Sequence, residues 1–218
     1  MNHQKNQFKN KKLSRAGLVI VITGGIASGK SFILKHFANL GFETLSLDEI
    51  ANNFLDKSSP VYIKITKAFP ECVSREDGYL DKKLLAALVF SNVDKLKLLN
   101  SIIHPLIRAQ YQNTIESRKR SIVVEIPLMI EAIVREGHEY ENDAIVLVKS
   151  SYETRLKRIM QRKNMTKERF DDIVTIQLPD VVKEKYSDFI IENENPLAVF
   201  NQVEKFLHGR FKRNSFRY

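Results

Sequence analysis

The chain has 218 residues, a formal charge of +9 and one cysteine, Cys72, a length that suits one α/β domain with insertions and buries a core unaided. A single cysteine excludes an intrachain disulfide and points to a reducing compartment. No run approaches the roughly 18 apolar residues of a membrane span and no apolar signal core opens the chain, so a soluble cytoplasmic protein is expected.

Residues 1–16 carry Lys5, Lys9, Lys11, Lys12 and Arg15 without an acid, and residues 208–218 carry Arg210, Lys212, Arg213 and Arg217 without an acid. These nine cations equal the net charge, so the body between them is balanced. Both ends read as disordered solubilising tails rather than nucleic-acid or membrane contacts. The apolar run 17–22 predicts a buried strand, and Gly24-Gly25-Ile26-Ala27-Ser28-Gly29-Lys30-Ser31 follows it with the spacing G-x-x-x-x-G-K-[ST]. Such a loop turns successive N–H groups around a polyphosphate, and the helix that follows points its positive end at the same anion. Lys30 is expected to reach the outer phosphates and Ser31 to ligate magnesium. Ile33, Leu34, Phe37, Ala38 and Leu40 then give a helix one apolar face, and Gly41 stops it.

Residues 43–47 read as a second strand, with Ser46 and Glu49 spaced as a capping box that starts another helix. Asp48 falls in its first turn, either as a carboxylate that abstracts a proton or as one that complements the helix dipole. From residue 54 to about 118 the pattern is helical, which suggests an inserted substrate lobe. There His104-Pro105 predicts a helix boundary, with Arg108 one turn on and able to share a face with His104. Residues 121–126 form a third strand ending in Glu125, where an acid serves a metal or merely closes a strand. Glu131 is expected to open a polar connection to a fourth strand at 143–148. Arg155, Arg158 and Arg162 predict one cationic helix stripe, suited to clamping a polyphosphate. Residues 166–178 form the second helix of a flap, and a fifth strand at 189–191 and an amphipathic last helix close the domain.

Taken together, residues 17 to 207 resemble the dephospho-CoA kinase family. The resemblance rests on 23–30, Asp48-Glu49-Ile50-Ala51, Asp77-Gly78-x-Leu80, Ile103-His104-Pro105-Leu106-Ile107-Arg108 and Ile126-Pro127-Leu128 with Glu131. It continues through Leu156-x-Arg158, Arg162, Gln177-Leu178-Pro179, Lys185 and Asp188-x-x-Ile191-x-Asn193. It implies an α/β P-loop kinase fold with a five-stranded parallel sheet, a helical CoA-binding lobe at 54–118 and a lid at 151–185. The core would comprise 17–53, 119–150 and 186–207. It also implies transfer of the ATP γ-phosphoryl group to the ribose 3′-hydroxyl of dephospho-CoA, with Mg2+. Residue by residue, Gly25, Ile26, Ala27, Ser28, Gly29, Lys30, Ser31 and Phe32 become the ATP loop. Asp48, Lys30, Arg158 and Arg162 become catalytic, Asp48, His104 and Arg108 substrate-binding, and Ser31 with Glu125 metal-binding. Ser46, Glu125 and Arg155 stand where aspartate, aspartate and glutamine are usual in the family. Two rival readings fit the same motifs: another small-metabolite or nucleoside monophosphate kinase, or a non-catalytic nucleotide-binding module.

Overall fold

The computed structural model describes residues 17–162 and 165–211; the N-terminal tail, Lys163, Asn164 and residues 212–218 lie outside the described residues. Five strands, β1 (Val19–Thr23), β2 (Glu43–Ser46), β3 (Ile122–Glu125), β4 (Ala144–Lys149) and β5 (Phe189–Glu192), form one sheet in the order β2-β3-β1-β4-β5. The sheet is all-parallel, as expected. Its central strands read as unbroken β-branched runs because helices cover both faces, and β1 and β3 are buried at every position.

Helix α1 (Lys30–Asn39) starts at Gly29, whose φ of +94° is left-handed. A Cβ there would also lie 2.0 Å from the amide nitrogen of Asn193, so only glycine fits. Ile33 and Phe37, four residues apart, seat α1 on the sheet beside Ile20, Ile22 and Val146. The described residues divide into two compact units, one made of 17–45 with 118–162 and 165–211, the other Ser46–Ser117.

The second unit is helical. Ser46 caps α2 (Leu47–Phe54) by accepting the Glu49 N–H at 3.4 Å, the expected capping contact. α3 (Tyr62–Ala68), a 3-10 turn at Pro70–Cys72 and α4 (Lys82–Ser91), capped by Asp81, lead to α5 (Val93–Ser117). The expected boundary at His104 is not there: α5 runs through His104-Pro105 without a break. An interior proline costs about 3 kcal/mol. Against it stand Leu99, Ile102, Ile103, Ile107, Tyr111 and Ile115, all buried on one stripe, each contributing roughly 1.5–3 kcal/mol for an aliphatic side chain. Ser101, whose carbonyl Pro105 leaves without its helical donor, is exposed to water.

In the sheet unit, residues 129–136 correct a second expectation. Glu131 opens no polar connection but lies in α6 (Met129–Glu136), which buries Met129, Ile130 and Glu131 and ends at Gly137 with φ +66°. α7 (Tyr152–Ile159) and α8 (Lys167–Ile176) are capped by Ser151 and Thr166. α7 is shorter than the arginine stripe requires: Ile159 packs against Phe170 of α8, the chain turns back, and the Arg162 N–H closes that turn on the Ile159 carbonyl at 2.9 Å. Arg162 is therefore off the helix that carries Arg155 and Arg158. A short α9 (Asp180–Glu184) follows, and α10 (Pro196–Phe211) extends past residue 207.

Candidate active site

The loop between β1 and α1 alternates its backbone handedness, with Ala27 at φ +58° and Gly29 at φ +94°, a pattern that gathers N–H groups into an anion-binding concavity. A left-handed alanine costs about 1–2 kcal/mol, and packing holds it there. Ala27 is buried with Ile159 and Phe170, and Ile26 joins the same cluster with Leu156, Met165 and Val174. The outer half of the loop is thus part of the small core that α7 and α8 share. Gln177, one residue past α8, accepts the Ile26 N–H through Oε1 at 2.9 Å.

Lys30 curls back over the loop, donating to the Gly24 and Gly25 carbonyls at 3.1 and 3.0 Å. The Ser31 hydroxyl donates to the Glu125 carboxylate, 3.2 Å from Oε2, so the end of β3 meets the start of α1 as two adjacent oxygen donors. Phe32, also expected at the nucleotide, spends its N–H on the Gly29 carbonyl, and its ring leans on Phe200 of α10.

Behind the loop, the Ser28 carbonyl is approached by Asn193 Nδ2 at 2.8 Å, Ser150 Oγ at 3.1 Å and Arg158 Nη1 at 3.2 Å. Arg158 also donates to the Ser150 hydroxyl at 2.9 Å and, through Nη2, to the Asn193 carbonyl at 2.7 Å. Its guanidinium is therefore committed to the back of the cradle. Glu194 fastens the start of α7 to the end of β5 by accepting the Ser151 N–H and the Thr154 hydroxyl. The Thr154 hydroxyl, then the Ser151 N–H, hold its carboxyl below the ordinary value of 4.5. Glu131 accepts the Leu178 N–H and the Lys183 ammonium on Oε1, each at 3.0 Å.

The sheet unit therefore assembles Lys30, Ser31, Glu125 and Arg158, while the exposed Arg162 stands apart in the turn after α7. Asp48, His104 and Arg108 belong to the helical unit: Asp48 is exposed in the first turn of α2, and His104 and Arg108 are half-buried on successive turns of α5. α2 packs on α5 within that unit. Sequence reasoning gave no role to Ser150, Glu131, Gln177 or Asn193. The last three appeared in the resemblance, which was the only available signal for them.

A profile of the dephospho-CoA kinase family matches residues 18–198. The chain belongs to the dephospho-CoA kinase family. It is 35% identical over 191 residues to the dephospho-CoA kinase of Fusobacterium nucleatum, spanning 87% of this chain and 96% of that one. Among solved structures, the dephospho-CoA kinase from Campylobacter jejuni gives a TM-score of 0.63 at 30% identity, covering 91% of this chain and 99% of its own. TT1252 from Thermus thermophilus gives 0.77 at 28% identity, covering 89% and 98%. Dephospho-CoA kinase membership makes the loop at 24–31 a kinase P-loop at the end of β1, and the family match ends within α10.

Proposed function

We propose that the protein transfers the γ-phosphoryl group of ATP to the ribose 3′-hydroxyl of dephospho-CoA, giving coenzyme A and ADP. The observation that carries this reading is a complete phosphate cradle, with Lys30 over it and the Ser31–Glu125 pair beside it, in a chain that matches the family over most of its length. Main-chain N–H groups of the 25–31 loop hold the polyphosphate, apart from those of Ile26 and Ser28, which are given to Gln177 and to the Gly25 carbonyl. Lys30 exchanges the neutral Gly24 and Gly25 carbonyls for phosphate oxygens, with which its hydrogen bonds are stronger.

The paired oxygens of Ser31 and Glu125 suit a hard cation that keeps most of its water and binds few protein ligands. Among the described residues no cluster of three His, Cys, Asp or Glu competes for it. A magnesium ion held there would neutralise charge on the phosphoryl oxygens. Phosphoryl transfer through a loose transition state asks for alignment and charge neutralisation more than for base strength. Asp48 orients the acceptor hydroxyl and takes its proton late, His104 and Arg108 hold the acceptor, and residues 54–118 form its lobe. Arg162 meets the phosphates from the 151–185 lid, and Arg158 acts on them through the P-loop it braces. The enzyme works in the cytoplasm with ATP and dephospho-CoA as its partners; no described helix is long and apolar enough to cross a membrane.

A coupled ADP-release assay tests this directly. Turnover with dephospho-CoA and none with AMP, CMP or UMP is expected; turnover with a nucleoside monophosphate alone, or none with any acceptor, refutes it.

A further inference from the structure

We propose that Arg155 is a substrate-contacting residue, its guanidinium set against Gly25 to pair with the anionic polyphosphate of the nucleotide. The proposal rests on the ATP reading above and adds a residue to it. Arg155 sits on α7 three positions before Arg158, and the two guanidiniums are used in opposite ways. Arg158 makes hydrogen bonds to the carbonyls of Ala27, Ser28 and Asn193 and to Ser150. The Arg155 guanidinium makes no hydrogen bond and no ion pair among the described residues, and its Nε is buried without a partner. Its Cζ lies 6.0 Å from the centroid of the Phe170 ring.

The placement is specific. A Cβ on Gly25 would fall 2.5 Å from Arg155 Nη1 and 3.6 Å from its Cζ. Gly25 does not have the left-handed φ of Gly24 or Gly29, so here the missing side chain makes room for the guanidinium rather than for a turn. The cation is thus held at the lip of a loop built to bind an anion, with the Lys30 ammonium on the Gly25 carbonyl.

The carboxylates on the elements beside α7 include Asp171 and Glu194, and both are engaged elsewhere. Asp171 takes the Tyr152 hydroxyl and the Lys167 ammonium, and Glu194 takes Ser151 and Thr154. A partly buried charge without a partner is unfavourable in the empty protein. An arriving phosphate removes that penalty and matches the planar fork of donors. The same residue serving only as a cover for Phe170 would need no charge.

The test is calorimetric binding of ATP and ADP to the full chain, with steady-state kinetics and thermal midpoints, for wild type, R155M and R155K. R155M keeps an apolar stem on Phe170 and removes the charge; R155K keeps the charge and loses the fork. R155M should weaken ATP binding by roughly tenfold to a hundredfold, the span of a lost charge-assisted hydrogen bond. Its thermal midpoint should be unchanged or higher, and R155K should fall between R155M and wild type in affinity. A loss confined to ATP places the guanidinium on the terminal phosphate, and a loss shared with ADP places it on an inner one. Wild-type ATP affinity in R155M, or in R155K should R155M fail to fold, overturns the proposal. A wild-type chain that binds no ATP at all would instead remove the kinase reading beneath it.

Discussion

Replacing Lys183 by methionine should destabilise the protein more than removing both members of its ion pair. The side chains of Lys183 and Glu131 are 1% and 7% exposed, with the ammonium 3.0 Å from Oε1. Oε1 also holds the Leu178 N–H, while Oε2 is buried without a partner. In K183M the carboxylate keeps one N–H and loses its counter-charge, a situation that costs about 3–5 kcal/mol. A chain of this size is stable by about 5–15 kcal/mol and loses about 2–4 °C of melting temperature per kcal/mol, so a fall of roughly 6–20 °C is expected. In the double variant E131L/K183M the buried charge is gone and only the Leu178 N–H is orphaned, at about 1–3 kcal/mol. Urea unfolding followed by circular dichroism should therefore rank wild type, the double variant, then K183M. Leu178 adjoins Gln177, which holds the Ile26 N–H of the P-loop, so KM for ATP should rise in K183M as well. A K183M loss below about 1 kcal/mol, or a double variant less stable than K183M, would refute the reasoning.

Lys30→Ala should weaken ATP binding tenfold or more and lower kcat with it; calorimetry showing unchanged affinity would contradict the cradle. Asp48→Asn should lower kcat by roughly 10²- to 10⁴-fold with ATP affinity nearly intact, and undiminished turnover removes Asp48 from the mechanism. Asn193→Asp puts an oxygen where Nδ2 now donates to the Ser28 carbonyl, so KM for ATP should rise about tenfold from one lost charge-sensitive contact; a wild-type KM would deny Asn193 a positioning role. Glu194, held below its ordinary 4.5 by the Thr154 hydroxyl and Ser151 N–H, contributes stability above that value that is lost as pH falls through the depressed one. The unfolding midpoints of wild type and E194Q should thus differ at pH 7 and converge in acid; a gap that persists there speaks against the carboxylate's role.

What the sequence revealed, and what it hid, follows from the range of the interactions. Val19–Ile22 and the β3 run are legible because a strand buried on both faces must be apolar throughout. The expected fourth strand began one residue early, since Asp143 is not in the ladder but accepts the Val19 N–H at 2.7 Å. Ser46 and the P-loop glycines were readable because caps and tight loops are local chemistry. Glu131 misled because its partner, Lys183, is distant in sequence, and an isolated glutamate reads as solvent-facing. His104-Pro105 misled because a local proline rule was outweighed by a buried stripe along the whole of α5. The residue type was right at Arg158, yet its carbonyl partners come from residues 27, 28 and 193, and no spacing rule reports those.

The convergence on Ser28 explains why the cradle can be formed before any nucleotide arrives. Rotation of the Ser28–Gly29 peptide would turn a carbonyl toward the phosphate site and an N–H away from it, reversing the sign of that peptide's interaction with an anion. Asn193, Ser150 and Arg158, brought from the end of β5, the end of β4 and α7, each hold the carbonyl outward. Asn193 also fills the space a side chain at residue 29 would need. Three donors for a carbonyl with two lone pairs means that losing one leaves the peptide oriented, whereas inserting an acceptor opposes it. The loop is therefore more sensitive to Asn193→Asp than to Ser150→Ala. By contrast, the Lys30 ammonium donates to the Gly24 and Gly25 carbonyls of the loop itself, neutral acceptors that make weaker hydrogen bonds to a cation than phosphate oxygens do.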